Sequence, residues 1–241
     1  MFRYVRNNRP DQRRGCFYQI GWWVGRSIIL FVLVSLVMVL IYAIVPPPTT
    51  ITMLTDSNGA TRDWMSLSEI DRDMPRAVIA AEDAKFCSHN GFDTEAIEKA
   101  IARNATGAKL RGGSTISQQT AKNVFLWQGS GKISRFARKV PETWFTFLIE
   151  HIWSKRRIME VYLNVAETGI GTYGVNAGSQ RYFGHDASQM SPTEAARIAA
   201  VLPLPKKRGA IAPHGYTRRY GNRIAARTGV VRRDALDACL Y

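Results

Sequence analysis

Residues 76–93 read RAVIAAEDAKFCSHNGFD. The first part, Arg76 to Asp83, is an apolar run closed by two acids. It predicts a buried helix ending at Glu82 and Asp83. Carboxylates at a helix C-terminus oppose the macrodipole, at a local cost of about 0.3–1 kcal/mol. A conflict of that kind points towards function. The plainer alternative is solvation of a helix end, with His89 serving as a cap or a satisfied polar contact.

Working outward, most of the flanking sequence also reads as short helices. Ser66-Leu-Ser-Glu69 is a capping box ahead of a helix that Pro75 interrupts or restarts. Thr94 to Asn104 sets Ala96, Ile97, Ala100 and Ile101 on one helical face, and Thr106 to Gly113 is a glycine-rich loop. Thr115 to Phe125 is helical, as is Val140 to Leu163 with a break near Ser154. Ser191-Pro-Thr-Glu194 caps an alanine-rich helix that stops before Pro203, and Tyr216 to Thr228 is a basic terminal helix. Strand patterns are scarce, Thr49 to Leu54 being the best. The fold class is mainly α.

The N-terminal part is different in kind. Residues 1–26 carry six arginines against one aspartate, a balance of +5. Ser27 to Val45 then runs for 19 residues without a charge. At about 1.5 Å per residue, that helix spans roughly one hydrocarbon core. Trp22, Trp23 and Tyr42 mark its ends, and Pro46, Pro47 and Pro48 stop it. The run is too long for a signal-peptide core and no small-x-small site follows it, so it reads as an uncleaved anchor. The preceding arginines predict a cytoplasmic N-terminus. The expected organisation is a basic cytoplasmic tail (1–26), a transmembrane helix (27–45) and one extracytoplasmic domain (49–241).

Composition narrows the ligand. The 241 residues include 33 Lys or Arg and 19 Asp or Glu, a net charge of +14, and 46% hydrophobic residues exclude a disordered chain. Three cysteines make no disulfide framework and no CxxC pair suggests zinc; Cys87 and Cys239 are free to pair outside the cytoplasm. Between Glu98 and Glu142 there is no acid but nine cations: Lys99, Arg103, Lys109, Arg111, Lys122, Lys132, Arg135, Arg138 and Lys139. Gly113, Ser114, Thr115, Gln118, Gln119 and Asn123 interleave with them. Free N–H groups at a helix start, hydroxyls and amides favour a phosphate site over a merely solvated basic face. It is not a nucleotide P-loop, because Gly113 stands where the lysine belongs. An anchored extracytoplasmic domain also meets little nucleic acid, which is excluded as a partner.

These segments together resemble the peptidoglycan glycosyltransferases of family 51. Glu82 to Asp93 resembles the family's first motif, Gly113 to Asn123 the second, and Arg138-Lys-Val-Pro-Glu142 the third, continuing through Glu150 and Lys155. Tyr162-Leu-Asn164 with Gly169, Gly171 and Gly174 resembles the fourth, and Ser191 to Ala200 with Pro203 the fifth. Pro141 departs from the third motif. There is no S-x-x-K and no K-T-G, so the chain is most similar to the family's monofunctional, membrane-anchored branch. The resemblance implies a lysozyme-like domain with a small membrane-facing lobe. It also implies lipid II and the growing glycan strand as substrates, membrane lipids as neighbours, and other wall-synthesis or division proteins as candidate partners.

The resemblance also implies roles. Glu82 is the expected base for the sugar 4-hydroxyl, and the transfer inverts the anomeric centre. Lys122, Arg138 and Lys139 are expected to take up the departing pyrophosphate. Asp83, Phe86, Gly113, Ser114, Thr115, Gln118, Gln119 and Asn123 are the other substrate-binding candidates. Glu142 is expected to act through a cation, by holding a Lys or Arg or by sharing a divalent ion, Mg or Mn; the sequence leaves the two open. Phe86 and its apolar neighbours are expected to desolvate Glu82 and offset the surrounding cations. Val124 to Trp127, with Lys132 and Arg135, is the expected membrane contact. The competing classes are a wall-cleaving lytic transglycosylase or lysozyme-like enzyme and a non-catalytic membrane adaptor.

Overall fold

A computed structural model of the protein describes residues 12–95, 97, 98, 102, 113–128 and 131–241. The expected helix over 94–104 and loop over 106–113 lie mostly outside these residues, as do Lys99, Arg103, Lys109 and Arg111. Within them the chain is mainly α. The anchor helix α1 (Gln12–Tyr42) is followed by one turn, α2 (Ile51–Leu54), by α3 (Asp73–Glu82), α4 (Ile116–Phe125), α5 (Lys132–Ile152), α6 (Lys155–Val165), α7 (Val175–Phe183), α8 (Pro192–Val201) and α9 (Gly215–Arg233). A small sheet of order β1-β3-β2 joins β1 (Thr61–Arg62), β2 (Glu167–Gly169) and β3 (Thr172–Tyr173), with β1 parallel and β2 antiparallel to β3.

The helices form two groups. Helices α3, α8 and α9 pack on one another, and α4 packs against both α5 and α6. Their apolar faces fill one core that includes Ile79, Phe86, Ile116, Ile149, Ile158, Tyr162 and Ile198, each 0–1% exposed. Burial of such a side chain contributes about 1.5–3 kcal/mol. α3 stops where Asp83 leaves helical geometry at φ −159. The first turn of α4 begins beside it, because the N–H of Ile116 donates to Asp83 Oδ2 at 3.0 Å. The acidic end of one group therefore abuts the N-terminus of the other.

Several boundaries differ from the sequence reading. Thr49 to Leu54 is not a strand: Thr50 accepts from the N–H of Met53 at 3.2 Å and caps a helical turn. Ser66 and Glu69 do hydrogen-bond, but they close a turn, and α3 starts later with Pro75 in its first turn. The helix expected from Val140 begins at Lys132 and runs through Pro141. No breaker lies between Lys132 and Pro141, and the proline removes only one backbone donor inside the helix. The breaks at Ser154 and Ser191 fall as expected, with both hydrogen bonds of the Ser191–Glu194 capping box formed. Cys87 and Cys239 form a disulfide.

α1 docks on the domain. Trp144 Nε1 donates to Ser35 Oγ at 2.9 Å and Trp153 Nε1 donates to the carbonyl of Val39 at 2.8 Å. The Arg157 guanidinium donates to the carbonyls of Tyr42 and Val45, satisfying groups that a helix end leaves orphaned. Of this helix, Tyr18–Tyr42 is 25 residues long and apolar enough to cross a bilayer.

Candidate active site

Glu82 is the last residue of α3 and its carboxyl group is buried. Oε2 accepts from Gln119 Nε2 on α4 at 2.9 Å, while Oε1 has no hydrogen-bond partner. Burial pushes its pKa up; the Gln119 hydrogen bond and the charges of Lys122 and Arg208 oppose this, and Asp83 adds to it. The expected desolvation of Glu82 is therefore seen. Phe86 itself is fully buried in the core, under the Lys155 ammonium at 4.7 Å, so it supports the loop and presents no face to a ligand.

The loop after Glu82 is held by a closed set of contacts. The N–H of Gly91 donates to His89 Nδ1 at 3.1 Å, which places the ring proton on Nε2. Nε2 lies 2.9 Å from each oxygen of Asp83. Thr115 donates from its hydroxyl to the Gly91 carbonyl at 2.6 Å, and Lys155 donates to the carbonyl of His89 at 2.6 Å and to Glu150 at 2.8 Å. Gly91 sits at φ +87, where a Cβ would come 2.9 Å from both Thr146 and Glu150. Thr115 and Gln118 close a capping box on each other and are buried. These two and Asp83 were expected to touch substrate; here Thr115 and Asp83 tie the loop after α3 to the start of α4, and Gln118 completes the cap within α4.

A second carboxylate organises the cations. Glu142 is 5% exposed. Lys139 Nζ donates to its Oε1 at 2.5 Å, and Arg138 Nε lies 3.7 Å from its Oε2 without a hydrogen bond. Arg138 also donates to the carbonyl of Trp127 at 2.9 Å. Lys122, on α4, is largely buried: desolvation pulls its pKa down first, with Arg138 and Lys139 acting in the same direction and Glu142 and Glu82 opposing them. Lys122 is thus within electrostatic reach of both carboxylates and both other cations.

Two clefts meet at Gln119, which lines both. One, of about 470 Å³, is walled by Glu82, Ser114 and Gln119 on one side and by Pro203, Arg208, Tyr216, Tyr220, Arg223 and Arg227 on the other. The second, of about 280 Å³, includes Lys122, Asn123, Tyr162, Glu167 and the segment Leu202 to Lys207. Gly113 lies beside Ser114 at the start of this run. The wall from α9 was missed by sequence reasoning. A signal existed: Tyr216, Tyr220, Arg223 and Arg227 recur at spacings of 4, 3 and 4, one face of a helix.

Among the described residues, six buried side-chain polar atoms lack a hydrogen-bond partner. Glu82 Oε1, Asn123 Oδ1 and Arg138 Nε belong to the site anticipated from sequence, and Glu167 Oε1 lines the second cleft. An orphaned buried polar group costs about 1–3 kcal/mol. Three of these atoms accept and one, Arg138 Nε, donates, a set that suits a polar ligand carrying hydroxyl donors as well as an acceptor.

The arrangement is a mainly helical domain with a buried carboxylate, Glu82, in one cleft and a buried ammonium, Lys122, in the cleft that joins it at Gln119. The chain belongs to the transglycosylase family: a family model described as Transglycosylase matches residues 49–228. It is 49% identical over 207 residues to a biosynthetic peptidoglycan transglycosylase of Caulobacter vibrioides, covering 85% of this chain and 89% of that protein. Proteins of the same name from Xanthomonas campestris (strain B100) and Pseudomonas putida are 46% and 45% identical, covering 82% and 87% of this chain and 82% and 88% of theirs.

Proposed function

We propose that this chain polymerises lipid II into peptidoglycan glycan strands, with Glu82 as the base and Lys122, Arg138 and Lys139 as the cradle for the leaving pyrophosphate. The supporting observation is the pair of orphaned oxygens of Glu82 and Asn123 in clefts that meet at Gln119, with Arg138 Nε orphaned beside Glu142. The carboxylate of Glu82 takes the proton of the acceptor's 4-hydroxyl as that oxygen attacks the donor's anomeric carbon. The bond from that carbon to the pyrophosphate oxygen breaks, and the lipid pyrophosphate departs opposite the nucleophile. Attack and departure on opposite faces invert the centre. Charge developing on the leaving group meets fixed ammonium and guanidinium groups, so no general acid is required. Gln119 orients Glu82, and Ser114, Gly113 and Asn123 line the path of sugar and phosphate.

Glu142 acts by holding cations. Both oxygens face a cation, Lys139 at 2.5 Å and Arg138 at 3.7 Å. Among the described residues no cluster of three or more His, Cys, Asp or Glu fits a metal ion. This donor set suits positioning of Lys139 and Arg138 better than a protein-held Mg or Mn, and no step is routed through a metal.

The domain works beside the bilayer that holds its substrate's lipid tail. Val124, Phe125 and Leu126, expected at the membrane, are buried in the core, and only Trp127 of that run is exposed. Among the described residues of the domain, the three most exposed apolar side chains lie on α5: Ile133 is 88%, Phe136 83% and Val140 76% exposed. They share the helix that α1 docks on, so anchor and lip enter one membrane, the inner membrane, with the domain on its outer side.

The test is incubation of the purified full chain with lipid II, with finished peptidoglycan, and with lipid II plus EDTA. Longer glycans from lipid II, within a few-fold with or without EDTA, support the reading; shortened glycans from finished wall support a cleaving enzyme instead. Turnover by the chain alone would also show that wall-synthesis or division partners are not required for the chemistry.

A further inference from the structure

The loop that follows Glu82 is tied to the far end of the chain. Cys87 and Cys239, separated by 152 positions, are disulfide-bonded with Cα atoms 5.5 Å apart. The same C-terminal segment grips the elements behind the site at two more points. Arg76 on α3 donates through Nε to Asp237 at 2.8 Å, both side chains being largely buried, and Arg156 on α6 donates to the carbonyl of Leu240 at 2.8 Å. The strap therefore holds α3, whose last residue is Glu82, together with the loop beyond it. Within that loop Cys87 stands directly after the buried Phe86 and two residues before His89, which donates to Asp83 beside Glu82.

We infer that the Cys87–Cys239 disulfide is a positioning device for Glu82, through which the redox state of this cysteine pair sets the rate of glycan polymerisation. The inference rests on the function proposed above. The bond forms by exchange with an external disulfide, of a protein or a small molecule. One S–S bond is made between the two Sγ atoms, one is broken in the oxidant, and the oxidant leaves as two thiols carrying both protons and both electrons. Such oxidants prevail outside the cytoplasm, so the clamp closes on the side of the membrane assigned to the domain. Without the cross-link, local opening of the loop becomes easier, because only hydrogen bonds and packing retain it. Water then reaches Glu82 and its bond to Gln119 loosens. Displacement of a reacting group by about 1 Å costs up to about 10²-fold in rate. The other groups acting on Glu82 are Asp83, Lys122 on α4, Tyr162 on α6, Arg208 in the loop before α9 and Tyr220 on α9. Reduction removes none of them, so a change in its titration reports a loss of burial.

The experiment uses the full chain in detergent with lipid II. Oxidised protein is compared with protein reduced by a phosphine and with Cys87→Ser, Cys239→Ser and the double variant, at a temperature where circular dichroism shows every form folded. Reduction and each variant should lower kcat by about 10-fold or more. KM should change little, and the acidic limb of the pH–rate profile should move down towards the ordinary carboxylate range. Reductant should add nothing to the variants. Undiminished kcat without the disulfide would overturn the inference, as would a rate loss with an unmoved acidic limb, the signature of partial unfolding alone. Alkylation of both cysteines in unreduced protein would overturn it too. Absence of any glycan from oxidised protein would remove the proposed function and this inference with it.

Discussion

Glu82 owes its chemistry to the residue at which α3 stops. As the last helical residue it enters a cleft while its carboxyl group stays buried. Desolvation raises its pKa, and Lys122 and Arg208 only partly offset this. The base is the ionised form, so a raised pKa means that activity is present at neutral pH and lost as pH falls through a value above the ordinary ~4.3. A pH–rate profile on lipid II should place the acidic limb there. Glu82→Gln keeps the size and the contact with Gln119 but removes the base. It should lower turnover by about 10²-fold or more, with lipid II binding retained in a pull-down or fluorescence titration. Glu142→Gln removes the charge that steadies Lys139 and Arg138. It should reduce kcat/KM by about 10-fold or more, as expected when a buried, hydrogen-bonded charge loses its partner at about 2–5 kcal/mol. The charges of these groups were legible in the sequence because charge is a property of the residue, and the family resemblance singled out Glu82 and Glu142 among them. That Phe86, Thr115 and Gln118 face inward was not, because orientation is set by neighbours more than 20 positions away, such as Gly91 for Thr115.

At the scale of the element, capping chemistry decided where the site forms. The Thr115–Gln118 box fixes the start of α4, and the hydroxyl of Thr115 also holds the Gly91 carbonyl. Thr115→Ala should destabilise the domain by about 1 kcal/mol for the cap alone, read as a lower melting temperature, with further loss for the orphaned carbonyl. Gly91→Ala should cost more, about 1–3 kcal/mol for the positive φ plus the collision with Thr146 and Glu150. The boxes at Ser191 and Thr115 behave as local sequence predicts, since each is followed by a helix that buries an apolar face. At Ser66 the same local pattern closes only a turn. Nothing local distinguishes it; the amide of Leu67 instead meets Glu160 of α6, 93 positions away.

On the scale of the whole molecule, the anchor and the domain act as one body. Trp144, Trp153 and Arg157 fasten α1 to α5 and the start of α6, and α5 extends the apolar surface with Ile133, Phe136 and Val140. Phe136→Glu, or Ile133→Glu with Val140→Glu, should weaken partition of the chain lacking α1 into anionic liposomes, measured by flotation, and leave its melting temperature within about 2 °C, since exposed substitutions stay within about ±0.5 kcal/mol. By itself the sequence determined the apolar span, the helical class and the acid-free basic stretch. Those follow from composition and from periodicity over a few turns, which one segment carries alone. Only the tertiary structure decided that α9 supplies the far wall of the cleft, that α1 docks on α5, and that the chain's last residues clamp the loop behind Glu82. Each of these joins segments distant in the chain, and close packing, rather than any local preference, selects which surfaces meet.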